Sequence, residues 1–126
     1  MRIKIYRLEY KNGKGPYQYH EHSHAFEEDP LYSMWNEHTT KAFHVPPRLD
    51  FEKPVYDGKR INQAFVFGCD TIETLHQWFQ GWITKLFNFG FQLIEYELEI
   101  KDVIFGKSKN QVAFKKDNAI KKRILS

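Results

Sequence analysis

The chain reads as an α+β domain built on a curved, mostly antiparallel sheet, and three observations predict it. Segments near both ends alternate apolar and polar residues with period two. Between them runs one amphipathic stretch with helical spacing. The order along the chain is strand, long irregular region, strand, helix, strand, strand, which suits neither an alternating α/β fold nor a helical bundle.

The first strand spans residues 2 to 10. Ile3, Ile5 and Arg7 face one way and Lys4, Tyr6 and Leu8 the other. It stops at KNGKGP, where Asn12-Gly13 and Gly15-Pro16 are turn signals. Residues 17–59 form a long irregular region holding Pro30, Pro46, Pro47 and Pro54 with five of the six histidines. So long a stretch without periodicity is functional or carries short elements that periodicity does not reveal.

INQAFVFG then reads as a buried strand ending at Gly68. The main helix is predicted over residues 70–88, where Ile72, Leu75, Phe79, Trp82, Ile83, Leu86 and Phe87 recur on one side. Asp70 and Glu73 are placed as a capping box, and Gly90 stands at the C-cap position. Gly81 inside the helix implies close backbone packing. FQLIEYELEI is the next strand, with Leu93, Glu95 and Glu97 on one face and Gln92, Ile94, Tyr96 and Leu98 on the other. DVIFGKSKN is a connection, and QVAF a short last strand.

At 126 residues the chain is one domain able to bury a core, and with 11 Phe, 7 Tyr and 3 Trp that core must be aromatic. Cys69 is the single cysteine, so no internal disulfide or sulfur-rich metal cluster forms, and a reducing, cytoplasmic setting is expected. Nothing approaches the roughly 18 consecutive apolar residues of a membrane span. The net charge of +3 is uneven: residues 115–126 carry five basic residues and one acidic, or +4, leaving −1 for residues 1–114. The domain is therefore drawn as 1–114, with 115–126 a basic C-terminal tail or short terminal helix. Weak nucleic-acid contact through that tail is one use of it.

YQYHEHSH sets His20, His22 and His24 on alternate residues. On an extended strand their neighbours lie roughly 7 Å apart, whereas a metal draws its imidazole nitrogens to about 2 Å. Three in line cannot converge on one ion without a bend, and Asp29, His38 and His44 have no diagnostic ligand spacing. No metal is expected; the histidines belong to a loop or pocket rim. The seven glycines are scattered and build no phosphate loop. Cys69 with His76 offers only a weak thiol-nucleophile arrangement. Trp35 either stacks on a ligand ring or plugs the core.

Read together, IYRLE at the start and FQLIEYELEIKDVIFGKSKNQVAF at the end resemble the layout of small ADP-ribosyltransferase-like domains with their split sheet. FGCDTIETLHQWF is similar to a segment recurrent in small phage and bacterial proteins of this kind. The resemblance implies NAD or an ADP-ribosyl group as ligand, with Arg7 holding phosphate through its fork of donors. It sets Gln111 at the ribose, where the family carries its catalytic glutamate, and lines the cofactor pocket with Tyr17, His20 and His44. The departure matters: an amide keeps a hydrogen bond but supplies little stabilisation of developing positive charge. The competing role for Arg7 is a pair with Glu95 or Glu97. The functional alternative is a non-catalytic phage-type protein, acting in the host cytoplasm, that blocks a host protein or nucleoprotein.

Overall fold

In a computed structural model, the described residues are 1–16, 34, 38, 44, 50, 51 and 64–126. Tyr17, His20, His22, His24, Asp29 and Trp35 lie outside them, as does most of the irregular region. The described elements are β1 (Arg2–Glu9), β2 (Phe65–Gly68), α1 (Ile72–Trp78), α2 (Ile83–Phe89), β3 (Gln92–Glu99), β4 (Val103–Phe105), β5 (Val112–Lys115) and β6 (Lys121–Ile124). Single 3-10 turns at Ile100–Asp102 and Lys116–Asn118 link β3 to β4 and β5 to β6.

The α+β class holds, but the sheet is two sheets of three strands, ordered β1-β3-β6 and β2-β5-β4, with all pairs antiparallel. They join at a bridge between Tyr6 and Cys69, closed by Tyr6 N–H to Cys69 O at 2.7 Å and Cys69 N–H to Tyr6 O at 2.8 Å. Alternation along β1 and β3 divides the core as the period-two pattern predicts. Ile5, Ile94, Tyr96 and Leu98 meet Val103, Val112 and Phe114 of the other sheet. Leu8 and Leu93, on the reverse face, pack with Leu75, Trp78, Phe79 and Leu86 of the helical segment. Burying each such side chain contributes roughly 1.5–3 kcal/mol.

Five expectations change. The helix over 70–88 is two helices: α1 ends at Trp78 with Phe79 as its C-cap, and Gly81 at φ +86°, a left-handed value, turns the chain into α2. Close packing does not explain this glycine, since a Cβ there meets nothing within 4 Å. The cap is Thr71, extended at φ −136° and ψ 153°, whose Oγ1 accepts from Thr74 N–H at 3.0 Å. Gly90 is the C-cap of α2 as expected.

The connection DVIFGKSKN contains β4, which pairs Val103 with Phe114, Ile104 with Ala113 and Phe105 with Val112. Three residues are too few for periodicity to register. Finally, the basic segment after residue 115 is neither tail nor helix in its middle. Lys121–Ile124 is an edge strand, pairing Lys121 with Glu97, Lys122 with Tyr96, Arg123 with Glu95 and Ile124 with Ile94. The acidic side chains of β3 supply its complement.

Candidate functional site

Arg7 and Glu9 are two residues apart on β1, so their side chains share the face turned toward the second sheet. Both are buried. Arg7 Nε donates to Glu9 Oε2 at 2.7 Å, Nη1 to the Phe67 carbonyl at 2.8 Å and Nη2 to the Gly13 carbonyl at 3.4 Å. Glu9 Oε2 also accepts from Tyr96 Oη at 2.6 Å and pairs with Lys116 Nζ at 3.2 Å. Lys116 Nζ closes the circuit by donating to Gly13 O at 2.9 Å. One network thus ties β1, β2, β3, the turn after β1 and the turn after β5.

Its electrostatics follow from burial and partnership. Burial lowers the Arg7 pKa, and Glu9 opposes that effect. Burial alone would raise the Glu9 carboxyl, but Tyr96, Arg7 and Lys116 together outweigh it and hold the group below its ordinary value. Tyr96 is raised by burial and by its bond to the Glu9 carboxylate. Two cations and one anion leave a surplus positive charge, and Lys116, a third exposed, carries it toward solvent.

Gln111 belongs to a second buried centre. Its Nε2 donates to Asp50 Oδ2 at 2.9 Å, and Ser108 donates to the same carboxylate through N–H at 2.6 Å and Oγ at 2.8 Å. Lys107 N–H donates to Asp50 O at 2.7 Å. Asp50 thereby pins the β4–β5 turn, and a Cβ on Gly106 would run into its carboxylate.

His44 sits elsewhere again, stacked on His38 at 3.8 Å and donating from Nε2 to the Trp78 carbonyl. Of the residues expected to share a ligand pocket, Arg7, Gln111 and His44 each serve a different cluster. Cys69 is buried, and that burial, with the charge of Asp70, pushes its thiol up to about 12, far from a nucleophile's range. Among the described residues no group of three His, Cys, Asp or Glu side chains is placed to hold a metal.

The remaining charged feature is the solvent face of the first sheet. Register aligns Lys4, Glu97 and Lys121 in one row and Tyr6, Glu95 and Arg123 in the next. Arg123 Nη2 lies 3.2 Å from Glu95, Arg2 Nη1 3.2 Å from Glu97 and Arg2 Nε 3.7 Å from Glu99. Lys4, Glu95, Glu97, Lys121, Lys122 and Arg123 line an open groove of about 300 Å³. Every residue of β6 is exposed.

A family model described as Bacteriophage T4 Y00F protein matches residues 1–126, the whole sequence. The chain belongs to this phage family. Neither the curated proteins nor the solved structures yield a match. Membership in the Y00F family bears out the phage half of the resemblance and carries nothing of its ADP-ribosyltransferase half. No helix among the described residues is long and apolar enough to cross a membrane.

Glu9, Lys116 and Asp50 are the site residues that the sequence did not single out. The Arg-x-Glu spacing on a strand carried a signal for Glu9. Lys116 and Asp50 arrive from 107 and 61 positions away from Glu9 and Gln111 respectively, and nothing local announced them.

Proposed function

We propose that this phage protein works without catalysis, as a binding protein that engages and blocks a host protein or nucleoprotein. The observation that carries this reading is the internal commitment of the two key side chains. Arg7 directs Nε, Nη1 and Nη2 to acceptors within the chain, and Gln111 donates its amide to Asp50. An ADP-ribosyl phosphate would have to displace a buried carboxylate and two carbonyls to reach the Arg7 fork, leaving Glu9 with its charge less compensated. The groups placed to meet a partner at the surface are the exposed cations of β6, Lys121, Lys122 and Arg123, of which Arg123 also pairs with Glu95.

Calorimetric titration with NAD, run beside an NAD-turnover assay, tests it. The expected result is no heat of binding and no consumption above buffer. Turnover by the natural protein that disappears in a folded Arg7→Lys variant would establish the ADP-ribosyl reading and end this one. A host factor bound at fixed stoichiometry should remain bound by Gln111→Ala; its loss in that variant would return attention to the Gln111 centre.

A further inference from the structure

Resting on the binding-protein reading, we infer that the outer edge of β6 is a docking site for an extended protein segment of alternating acidic and apolar residues, added antiparallel as a fourth strand. β6 closes the order β1-β3-β6, and among the described residues no strand pairs with its other edge. Its four residues are all exposed, so their side chains stand available on both faces of the edge. An unpaired edge offers main-chain donors and acceptors to any strand, and side-chain chemistry selects which one.

The selection is written in the rows. Across the sheet the charges run Lys4, Glu97, Lys121, positive, negative, positive, so the next position calls for an acid. The adjacent row ends on Arg123, which meets Glu95 at 3.2 Å on its inner side and, two-thirds exposed, can share its guanidinium with a second acid two residues along. On the reverse face Ile124 pairs with Ile94 and remains 57% exposed, which an apolar residue of the incoming strand would cover. The inner edge of β6 already accepts such a segment: β3 reads LIEYELE, acids alternating with apolar residues.

A second copy of this chain fits poorly, because antiparallel β6–β6 pairing about Lys122 sets Lys121 against Arg123 twice. Nucleic acid would satisfy the cations but not the alternation or Ile124.

The test uses two capped peptides of one composition, Glu-Val-Glu-Val-Glu-Val-Glu and its block isomer Glu-Glu-Glu-Glu-Val-Val-Val, with an oligothymidylate as third probe. Amide-resolved NMR titration of the full chain should give the alternating peptide about tenfold tighter binding than the block isomer, the size expected for two or three matched cross-strand pairs. Amides of Lys122 and Ile124, which alternate with those turned to β3, should gain protection from exchange. The double variant Lys121→Gln, Arg123→Gln should abolish the preference, whereas Lys107→Glu, which lowers net charge equally from the other sheet, should preserve it. A circular dichroism spectrum matching the natural protein confirms that the double variant folds. Equal affinity for both peptides, tighter binding of the oligothymidylate, a preference retained in the double variant, or a β6-mediated dimer by sedimentation would each overturn the inference. NAD turnover alongside a retained peptide preference would remove the non-catalytic reading and leave the docking edge standing.

Discussion

Arg7 and Glu9 show how one pair of side chains decides what a strand can do. Removing Arg7 leaves Glu9 buried with only Tyr96 and Lys116 to hold its charge, and Arg7→Ala should cost about 3–5 kcal/mol in urea unfolding. Replacing both by apolar residues, as in Arg7→Met with Glu9→Leu, should cost less than the sum of the single changes, because neither charge is then stranded. Additive costs would show that the pair is not coupled. The pH dependence has two signs. Glu9 is held below its ordinary 4.5, so its contribution is present above that pH and is lost as the pH falls through its lower folded value. Tyr96 is raised above 10.0, so its contribution is present below that pH and is lost as the pH rises through its folded value. The stability difference between the natural protein and Glu9→Gln should therefore narrow on acidification below about pH 4.5. A difference unchanged down to pH 2 would refute the assignment.

At the scale of elements, the segment after residue 115 carries the largest revision. A run of lysines and arginine invites reading as a solvated tail, yet Ile120 N–H donates to Glu97 O at 2.8 Å, Leu125 N–H to Leu93 O at 2.8 Å and Leu93 N–H to Ser126 O at 3.1 Å. Both ends of the strand are stitched to β3. Deleting residues 119–126 should lower the melting temperature and uncover the edge of β3, with amides of Glu95 and Glu97 exchanging faster. A true tail would leave both unchanged. The period-two pattern did assign which residues share a face on β1 and on β3; that one face meets a second sheet came from the structure. The pattern could not reveal β4, since three residues give one alternation, nor the division of the helix, since the apolar positions keep their spacing across a glycine turn.

For the whole molecule, β3 is the element that unites the parts. Leu93 belongs to the cluster with the helices, while Ile94, Tyr96 and Leu98 belong to the cluster between the sheets. Unfolding followed by fluorescence of Trp78 and Trp82 and by far-ultraviolet circular dichroism should thus give one coincident transition. Two separate midpoints would mean that the helical layer and the sheets are independent. The sequence by itself determined the class, the central strands and their faces, and the Gly90 cap. These depend on local period and composition, which a linear reading contains. The core among the described residues, by contrast, is mainly aliphatic, with Ile5, Leu8, Leu75, Leu86 and Leu98 fully buried beside Phe51 and Phe114. Tertiary structure alone decided that Arg7 faces Glu9 rather than Glu95 or Glu97, that Gln111 meets Asp50, and that a basic terminus becomes an edge strand. Arg7 and Glu95 lie on opposite faces of one sheet, while Gln111 and Asp50 stand 61 residues apart, so only the folded chain could choose each partner.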